Sequence, residues 1–280
     1  MGEIKEKRLQ KFYSRMYEIL DTDAISAGEL SFMARLLVQV TLPHRNPKGA
    51  TKWVRRNGDL TFTLQPFITE DKKGKELNFG LPYGSIPRLL MSYITREAVI
   101  TKNPKISLGR SLSQFMGELG LVPTGGRWGT ITRLREQVKR LFSCRLAFSY
   151  ATENTFAFKP QEIAEETLLW WDPKSPDQLT LEDSYVLLSQ KFFEELVKHP
   201  VPVDMRVLRH LKQSPLALDL YTWLTYRVSY LKEPISIDWN SLAGQFGSDF
   251  QEIRIFRFKV RKHLRKIKAV WQDLKIDETG

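Results

Sequence analysis

The feature that most constrains this chain is an internal echo at an offset of 130 residues. Without a gap, Tyr93-Ile94-Thr95 meets Trp223-Leu224-Thr225, Pro104 meets Pro234, and Ser111-Leu112 meets Ser241-Leu242. Self-similarity at a fixed spacing means that one supersecondary unit is used twice. In the first copy, residues 86–101 predict a helix that buries Leu89, Leu90, Tyr93, Ile94 and Ala98, with Pro87 in its first turn. Pro104 stops it, and Ile106-Ser-Leu108 predicts a short strand. Ser111-Leu-Ser-Gln114 fits a capping box that opens a short helix, which Gly120 ends. Pro123-Thr-Gly-Gly-Arg-Trp-Gly-Thr130 is a glycine-rich turn leading into an amphipathic helix with Ile131, Leu134, Val138 and Leu141 as its apolar stripe. Residues 144–150 and 155–159 alternate as two strands around Thr152-Glu-Asn154.

The second copy repeats the order. Residues 217–230 predict a helix, Ile235-Ser-Ile237 a strand, and Asp238 the cap of a short helix that ends at Gly247. Ser248-Asp-Phe-Gln251 is a second capping-box match, and a long helix follows over residues 249–267, with Ile253, Phe256, Val260, Leu264 and Ile267 on its apolar side. Residues 269–276 can supply one strand, with no length left for a full return strand. Helix, strand, helix, turn, helix, hairpin is the order of a winged helix-turn-helix, whose third helix reads the DNA major groove. The expected fold class is therefore α+β, with tandem winged helix-turn-helix domains over residues 81–173 and 180–280 behind an N-terminal helical and hairpin arm, residues 1–80.

Charge placement agrees with two reading helices. Residues 101–145 carry nine basic residues against Glu118 and Glu136, a balance of +7, and residues 250–276 carry nine against Glu252 and Asp273, again +7. The intervening residues 151–200 stand at −6, and the whole chain at +11. Two basic blocks separated by an acidic one predict two polyanion contacts, with nucleic acid first and an anionic membrane surface second. No apolar run approaches the ~18 residues of a membrane span. The N-terminus shows no secretory signal. A single cysteine, Cys144, excludes an internal disulfide and a multi-cysteine zinc site, so a reducing cytoplasm is expected. Cys144 itself reads as a small buried hydrophobe.

Along the rest of the chain, residues 3–20 read as a charged helix with Ile4, Phe12, Met16, Ile19 and Leu20 on one side. Residues 26–40 read as a second helix (Phe32, Met33, Leu36, Leu37 and Val40), either an arm packed on the first domain or a dimerisation face. Asn57-Gly58 marks a type I′ hairpin over residues 53–64, and residues 67–79 a surface loop. Residues 168–177 begin a connector, 185–188 a strand and 191–198 a short helix, and His199-Pro-Val-Pro is a break.

Several long segments resemble the plasmid-encoded RepA family of replication initiators. They include Gly80-Leu-Pro-Tyr-Gly-Ser-Ile-Pro-Arg-Leu-Leu90, Leu108-Gly-Arg-Ser-Leu-Ser-Gln-Phe-Met116, Pro123-Thr-Gly-Gly-Arg-Trp-Gly-Thr130, Trp170-Trp-Asp-Pro173, His199-Pro-Val-Pro-Val-Asp204 and Ser214-Pro-Leu-Ala-Leu-Asp-Leu-Tyr-Thr-Trp-Leu-Thr-Tyr-Arg227. The resemblance implies a bacterial plasmid protein that binds repeated sequences in double-stranded DNA at its origin, helps to open the duplex and recruits the host helicase. It further implies homodimers that repress their own promoter. A winged-helix transcriptional repressor or a partition protein would use the same two domains, and a primase or nicking enzyme is the alternative from another class.

The residues expected to touch DNA follow from the two helices. Arg127, Arg133 and Gln137 in the first, and Gln251, Arg254 and Arg257 in the second, are candidates for base edges, because Arg can grip guanine and Gln adenine through paired hydrogen bonds. Lys139, Arg140, Arg261 and Arg265 are candidates for phosphate. Thr130 sits where helix N–H groups favour an anion, and the turn before it reads equally as a DNA phosphate site or a plain flexible turn. Trp128 is expected to be a core or turn anchor. The turn lacks the G-x-x-x-x-G-K-[ST] pattern of a nucleotide loop. The four histidines are scattered, with no His-x-His pair, no H-E-x-x-H and no nucleophile elbow. No catalytic residue, metal ligand or cofactor is expected.

Overall fold

The computed structural model of the protein describes residues 2–151, 155–247 and 250–278. Helix α1 (Gly2–Asp21) leads to strand β1 (Leu30–Ala34), which runs directly into a short helix α2 (Arg35–Gln39). The single helix expected over residues 26–40 is therefore half strand. Its apolar spacing suits either form, and a partner far away in sequence decides: β1 pairs antiparallel with β11 (Pro200–Asp204), with Phe32 opposite Pro202. The buried Ser31 hydroxyl bonds Ser92 on the next long helix. The expected break at His199-Pro-Val-Pro is this strand, because Pro200 and Pro202 sit two apart and turn their missing N–H groups toward the same edge. Of the side expected on α1, Ile19 is buried and Met16 packs against the core; the side chains of Ile4 and Phe12 lie outside the described ones.

Strands β2 (Trp53–Asn57) and β3 (Leu60–Gln65) form the expected hairpin, but the turn is Gly58-Asp59 and only Gly58 has positive φ (57°). That fits a type II′ turn, since type I′ needs positive φ at both central residues. Where a loop was expected, β4 (Ile68–Glu70) and β5 (Glu76–Asn78) form a second hairpin, its turn closed by the Asp71 carboxylate accepting from the Lys73 and Lys75 N–H groups.

The first copy then follows as α3 (Ser85–Thr101), β6 (Lys105–Gly109), α4 (Leu112–Glu118), α5 (Thr130–Ser143), β7 (Arg145–Ala151) and β8 (Phe156–Glu162). Ser111 caps α4 by accepting from the Gln114 N–H, and Gly120 (φ 65°) ends it in the left-handed region. The residues expected to turn between β7 and β8, Thr152 to Asn154, lie outside the described ones. Strands β2, β3, β7 and β8 form one four-stranded sheet in that order, so the N-terminal hairpin extends the β7–β8 hairpin. Phe62 on β3 stacks on Phe148 of β7 at 5.1 Å in the core. After β8 the chain turns at buried Ile163 into β9 (Ala164–Leu168). β10 (Ser184–Leu188) lies between β6 and β9 in a separate three-stranded sheet. Trp171 closes that region, stacking on Phe115 and donating its indole N–H to the Gly109 carbonyl.

The remaining elements are α6 (Gln190–Lys198), α7 (Met205–Leu211) after β11, α8 (Pro215–Tyr230), α9 (Trp239–Phe246) and α10 (Ile253–Val270). The starts of α3 and α8, Ser85 and Pro215, are 130 residues apart, as the echo requires. The strand expected at 235–237 is irregular chain with Ile235 exposed. The strand expected at 269–276 is the last turn of α10 and a Trp271–Leu274 turn. Among the described residues, the second copy is therefore helical and has no hairpin. A run of three to eight residues becomes a strand only beside another edge; β10 supplies one for β6, and among the described residues no strand pairs with residues 235–237. Of the second capping-box match, Ser248 and Asp249 lie outside the described residues.

The two copies share one core, tied by a buried ion cluster. Arg88 on α3 donates Nε–H and Nη2–H to the Asp219 carboxylate on α8 at 2.6 and 2.7 Å, and His44 bonds the same carboxylate at 2.8 Å. Arg88 also donates to the Gly84 and Leu42 carbonyls. Bidentate geometry with the remaining donors satisfied is what lets such a charge be buried. Burial by itself raises the Asp219 carboxyl, but the Arg88 charge and the hydrogen bonds from His44 and Arg88 outweigh it and hold the group below the usual carboxylate range.

Candidate nucleic-acid interface

Helix α5 begins from a turn that its own side chains lock. Thr130 Oγ accepts from the Thr124 N–H (2.9 Å) and donates to the Val122 carbonyl (2.5 Å), while Thr124 Oγ accepts from the Thr130 N–H (2.9 Å). Thr132 Oγ donates to the Gly126 carbonyl. Gly129 is confined: a Cβ there would lie 2.2 Å from the Thr124 carbonyl oxygen. Gly126 holds φ 84°, open to glycine and strained for other residues. Side-chain hydrogen bonds close the turn on both sides of Trp128. Thr130, expected at DNA, is a clasp whose hydroxyl is already engaged.

The helix then divides into three faces. Ile131, Leu134, Val138 and Leu141 point into the core, as their spacing predicts. Arg133 is exposed, whereas Gln137 is only 4% exposed and its amide oxygen accepts from the Tyr83 N–H at 2.8 Å. Gln137 is thus corrected from base reader to a tie between α5 and the chain before α3. Arg140 has a similar duty, with its guanidinium over the Tyr83 ring at 5.3 Å and paired with Glu136. Lys139 is exposed, with Nζ 3.6 Å from the Phe79 ring centroid. The face opposite the apolar stripe carries Thr132, Arg133, Glu136 and Lys139, with Arg135 nearer its margin, all exposed. The stripe itself carried that signal, since at 100° per residue it fixes which positions face away.

Thr132, Arg135, Glu136 and Lys139 line a groove of about 700 Å³ together with Phe67, Phe79, Glu162, Glu165 and Glu166. Those carboxylates would repel a phosphate backbone. Arg127, Trp128 and Arg133 are not among the residues that line this groove, and no acidic residue occurs in sequence between Glu118 and Glu136. Here Trp128 departs most from expectation: it is 81% exposed, with the Arg127 guanidinium 5.1 Å from its ring centroid. The turn is held by its threonines and needs no anchor.

Helix α10 presents a comparable face. Gln251 and Arg254 are exposed, and so is Arg265, whose Nε lies 3.7 Å from the Glu278 carboxylate. Arg257 and Arg261 both stack on Trp239 of α9, at 5.5 and 5.3 Å, and Arg261 donates to the Glu278 carbonyl. Both are half-buried, held between the surface and a neighbouring helix. Phe256, Val260, Leu264 and Ile267 are buried as expected, but Ile253 is exposed. Phe258, 63% exposed, lies in the middle of the basic face between Arg254 and Lys262. Composition gave no hint of it, because an aromatic in a helix reads as core. His263 is buried beneath, its Nε2 3.1 Å from the Ser214 hydroxyl. Burial, then Lys266, Lys262 and Lys259, push its pKa down to about 4. Cys144 is buried as expected, and burial pushes its thiol up.

Among the described residues, no group of three or more His, Cys, Asp or Glu stands together as a metal site, and no helix is long and apolar enough to cross a membrane. The sequence pattern of the plasmid-encoded RepA proteins matches residues 81–240, more than half of the chain. The chain belongs to the plasmid-encoded RepA family of replication initiators. The matched span runs from the approach to α3 through the Arg88–Asp219 tie to the start of α9, so it contains α5 and stops short of α10. Two solved structures share the fold of this RepA protein: the RctB domains 2–3 (14% identity, 82% of each chain, TM-score 0.54) and a selenomethionine form of the same two domains (14%, 83% of this chain and 84% of that one, TM-score 0.55). At that identity the likeness is one of fold. No curated protein sequence matches the chain.

Proposed function

We propose that this RepA-family initiator binds repeated sites in duplex DNA at a plasmid origin through α5 and α10. In this reading α3, β6, α4, α5 and the β7–β8 hairpin act as a winged helix-turn-helix over residues 81–173. Residues 180–280 act as a second one, with no hairpin after α10 among the described residues, and residues 1–80 brace both. The observation that carries the reading is the recurrence of an exposed basic helix at the third helical position of both copies, with Arg133 and Arg254 open to solvent. Phosphate contacts from Lys262 and Arg265 would supply salt-sensitive affinity, and Arg127, Arg133, Gln251 and Arg254 the selectivity. Arg257 and Arg261, stacked on Trp239, would reach phosphate at the edge of the contact. Origin opening, recruitment of the host helicase and a homodimeric form that represses its own promoter belong to the same proposal, as does the absence of catalysis by the protein itself. Footprinting on the parent plasmid's origin tests it: two protected groove faces about one helical turn apart are expected. Protection of one face, or of none, would overturn the tandem reading. Nicking or primer synthesis by the pure protein with magnesium would overturn the non-catalytic one.

A further inference from the structure

We propose that the turn before α5 is a base-stacking site, in which Trp128 wedges against a base that has left the stack and Arg127 braces the ring from one side. The inference deepens the DNA-binding reading and rests on it. Four observations carry it. The indole is 81% exposed, a large apolar area in water that the fold makes no use of. The turn that presents it is closed by the Thr124–Thr130 clasp and by the Thr132 bond to Gly126, so the ring is displayed from a stiff support and little order need be lost when it binds. Beside it, Gly125 and Gly126 are open, with nothing within 4 Å of where a Cβ would stand, so a nucleic-acid strand can pass close to the backbone. The charged residues of the turn and of the start of α5 are Arg127, Arg133 and Arg135, with no acid in sequence between Glu118 and Glu136.

An exposed tryptophan can also anchor a protein partner, but those cations favour a polyanion. Apolar wedges at a groove unstack base steps, and aromatic platforms hold the freed base without regard to its identity. A protein that seats α5 on a duplex and carries such a wedge at the helix start would destabilise the duplex beside its own binding site.

The test uses the full chain and a fluorescent duplex bearing one origin repeat of the parent plasmid, with 2-aminopurine replacing successive adenines. Wild type should brighten 2-aminopurine at one position flanking the repeat. Trp128→Ala should abolish the brightening and weaken binding roughly 5- to 100-fold. Trp128→Phe should retain part of both. Thermal melting checks that each variant is folded, which exposure of the side chain leads one to expect. If wild type and Trp128→Ala bind equally well and brighten the probe equally, the inference fails while the DNA-binding reading stands. If wild type fails to bind the duplex at all, the DNA-binding reading itself fails. Loss of self-association with unchanged DNA behaviour would assign the tryptophan to a protein contact and overturn the inference.

Discussion

Replacing Asp219 with Ala removes the carboxylate that Arg88 and His44 share. Arg88 would then lose two charge-assisted bonds of 2.6 and 2.7 Å and keep only its carbonyl acceptors, at Gly84, Leu42 and, more distantly, Pro43. Arg88 is 4% exposed, and its guanidinium cannot reach water without moving α3. Removing one partner of a buried pair costs about 3–5 kcal/mol, because the other charge is left uncompensated. The remaining carbonyl bonds put the expectation at the lower end, near ~3 kcal/mol, still a large share of the ~5–15 kcal/mol that holds a domain together. Urea unfolding followed by tryptophan fluorescence would show it as a fall in midpoint. With an m-value of about 2–3 kcal/mol/M, a loss of ~3 kcal/mol moves the midpoint by roughly 1–1.5 M. A shift below about 0.3 M would refute the argument that this cluster ties the two copies together. Replacing Arg88 by Met and Asp219 by Leu together should recover most of the loss, since two apolar groups leave no orphaned charge. The pH sense is also fixed. Because the folded Asp219 carboxyl titrates below its usual range, its contribution is present above about pH 4 and is lost as pH falls through the folded value.

Arg133→Ala and Arg254→Ala should each fold normally and each reduce affinity for origin DNA by roughly 10-fold or more in a binding isotherm, as expected for lost base contacts; a variant that binds like wild type removes its helix from the reading set. Gln137→Ala should leave sequence preference unchanged and lower stability by about 1–2 kcal/mol in urea, because it strands the Tyr83 N–H; an altered base preference would restore Gln137 as a reader. His263 resists protonation down to about pH 4 in the folded protein, whereas an unfolded histidine takes a proton near pH 6.5. Its contribution is therefore present above pH 6.5 and is lost as pH falls from 6.5 toward 4. His263→Gln should make the acid limb of the stability profile shallower in that window, and an unchanged limb would show that His263 is accessible to protons when folded.

Helix α5 could be placed from the sequence to within a residue, with its inward stripe and its cationic character, because amphipathic periodicity and glycine punctuation are local properties. The same holds for α3, α4 and α9, for the Asp238 and Ser111 caps, and for the register of the two copies at 130 residues, while α8 starts two residues before its expected start at residue 217. Strand partners were not legible. β1 looked helical until β11 lay beside it, β6 joined β10 instead of the following hairpin, and residues 235–237 found no neighbour and stayed irregular. Hydrogen bonds of a ladder are made between segments that may be 170 residues apart, and a short apolar run holds no record of which edge it will meet.

The same division runs through the candidate interface. The sequence alone determined that two basic helices exist and that each turns an apolar face inward. Only the tertiary structure decided which polar side chains of those helices stay exposed. It buried Gln137 against Tyr83, engaged Thr130 in a clasp, laid Arg257 and Arg261 on Trp239, and left Trp128 in solvent. Residue type sets what a side chain can bind, whereas exposure and prior partners, set by distant segments, decide whether it is available to do so.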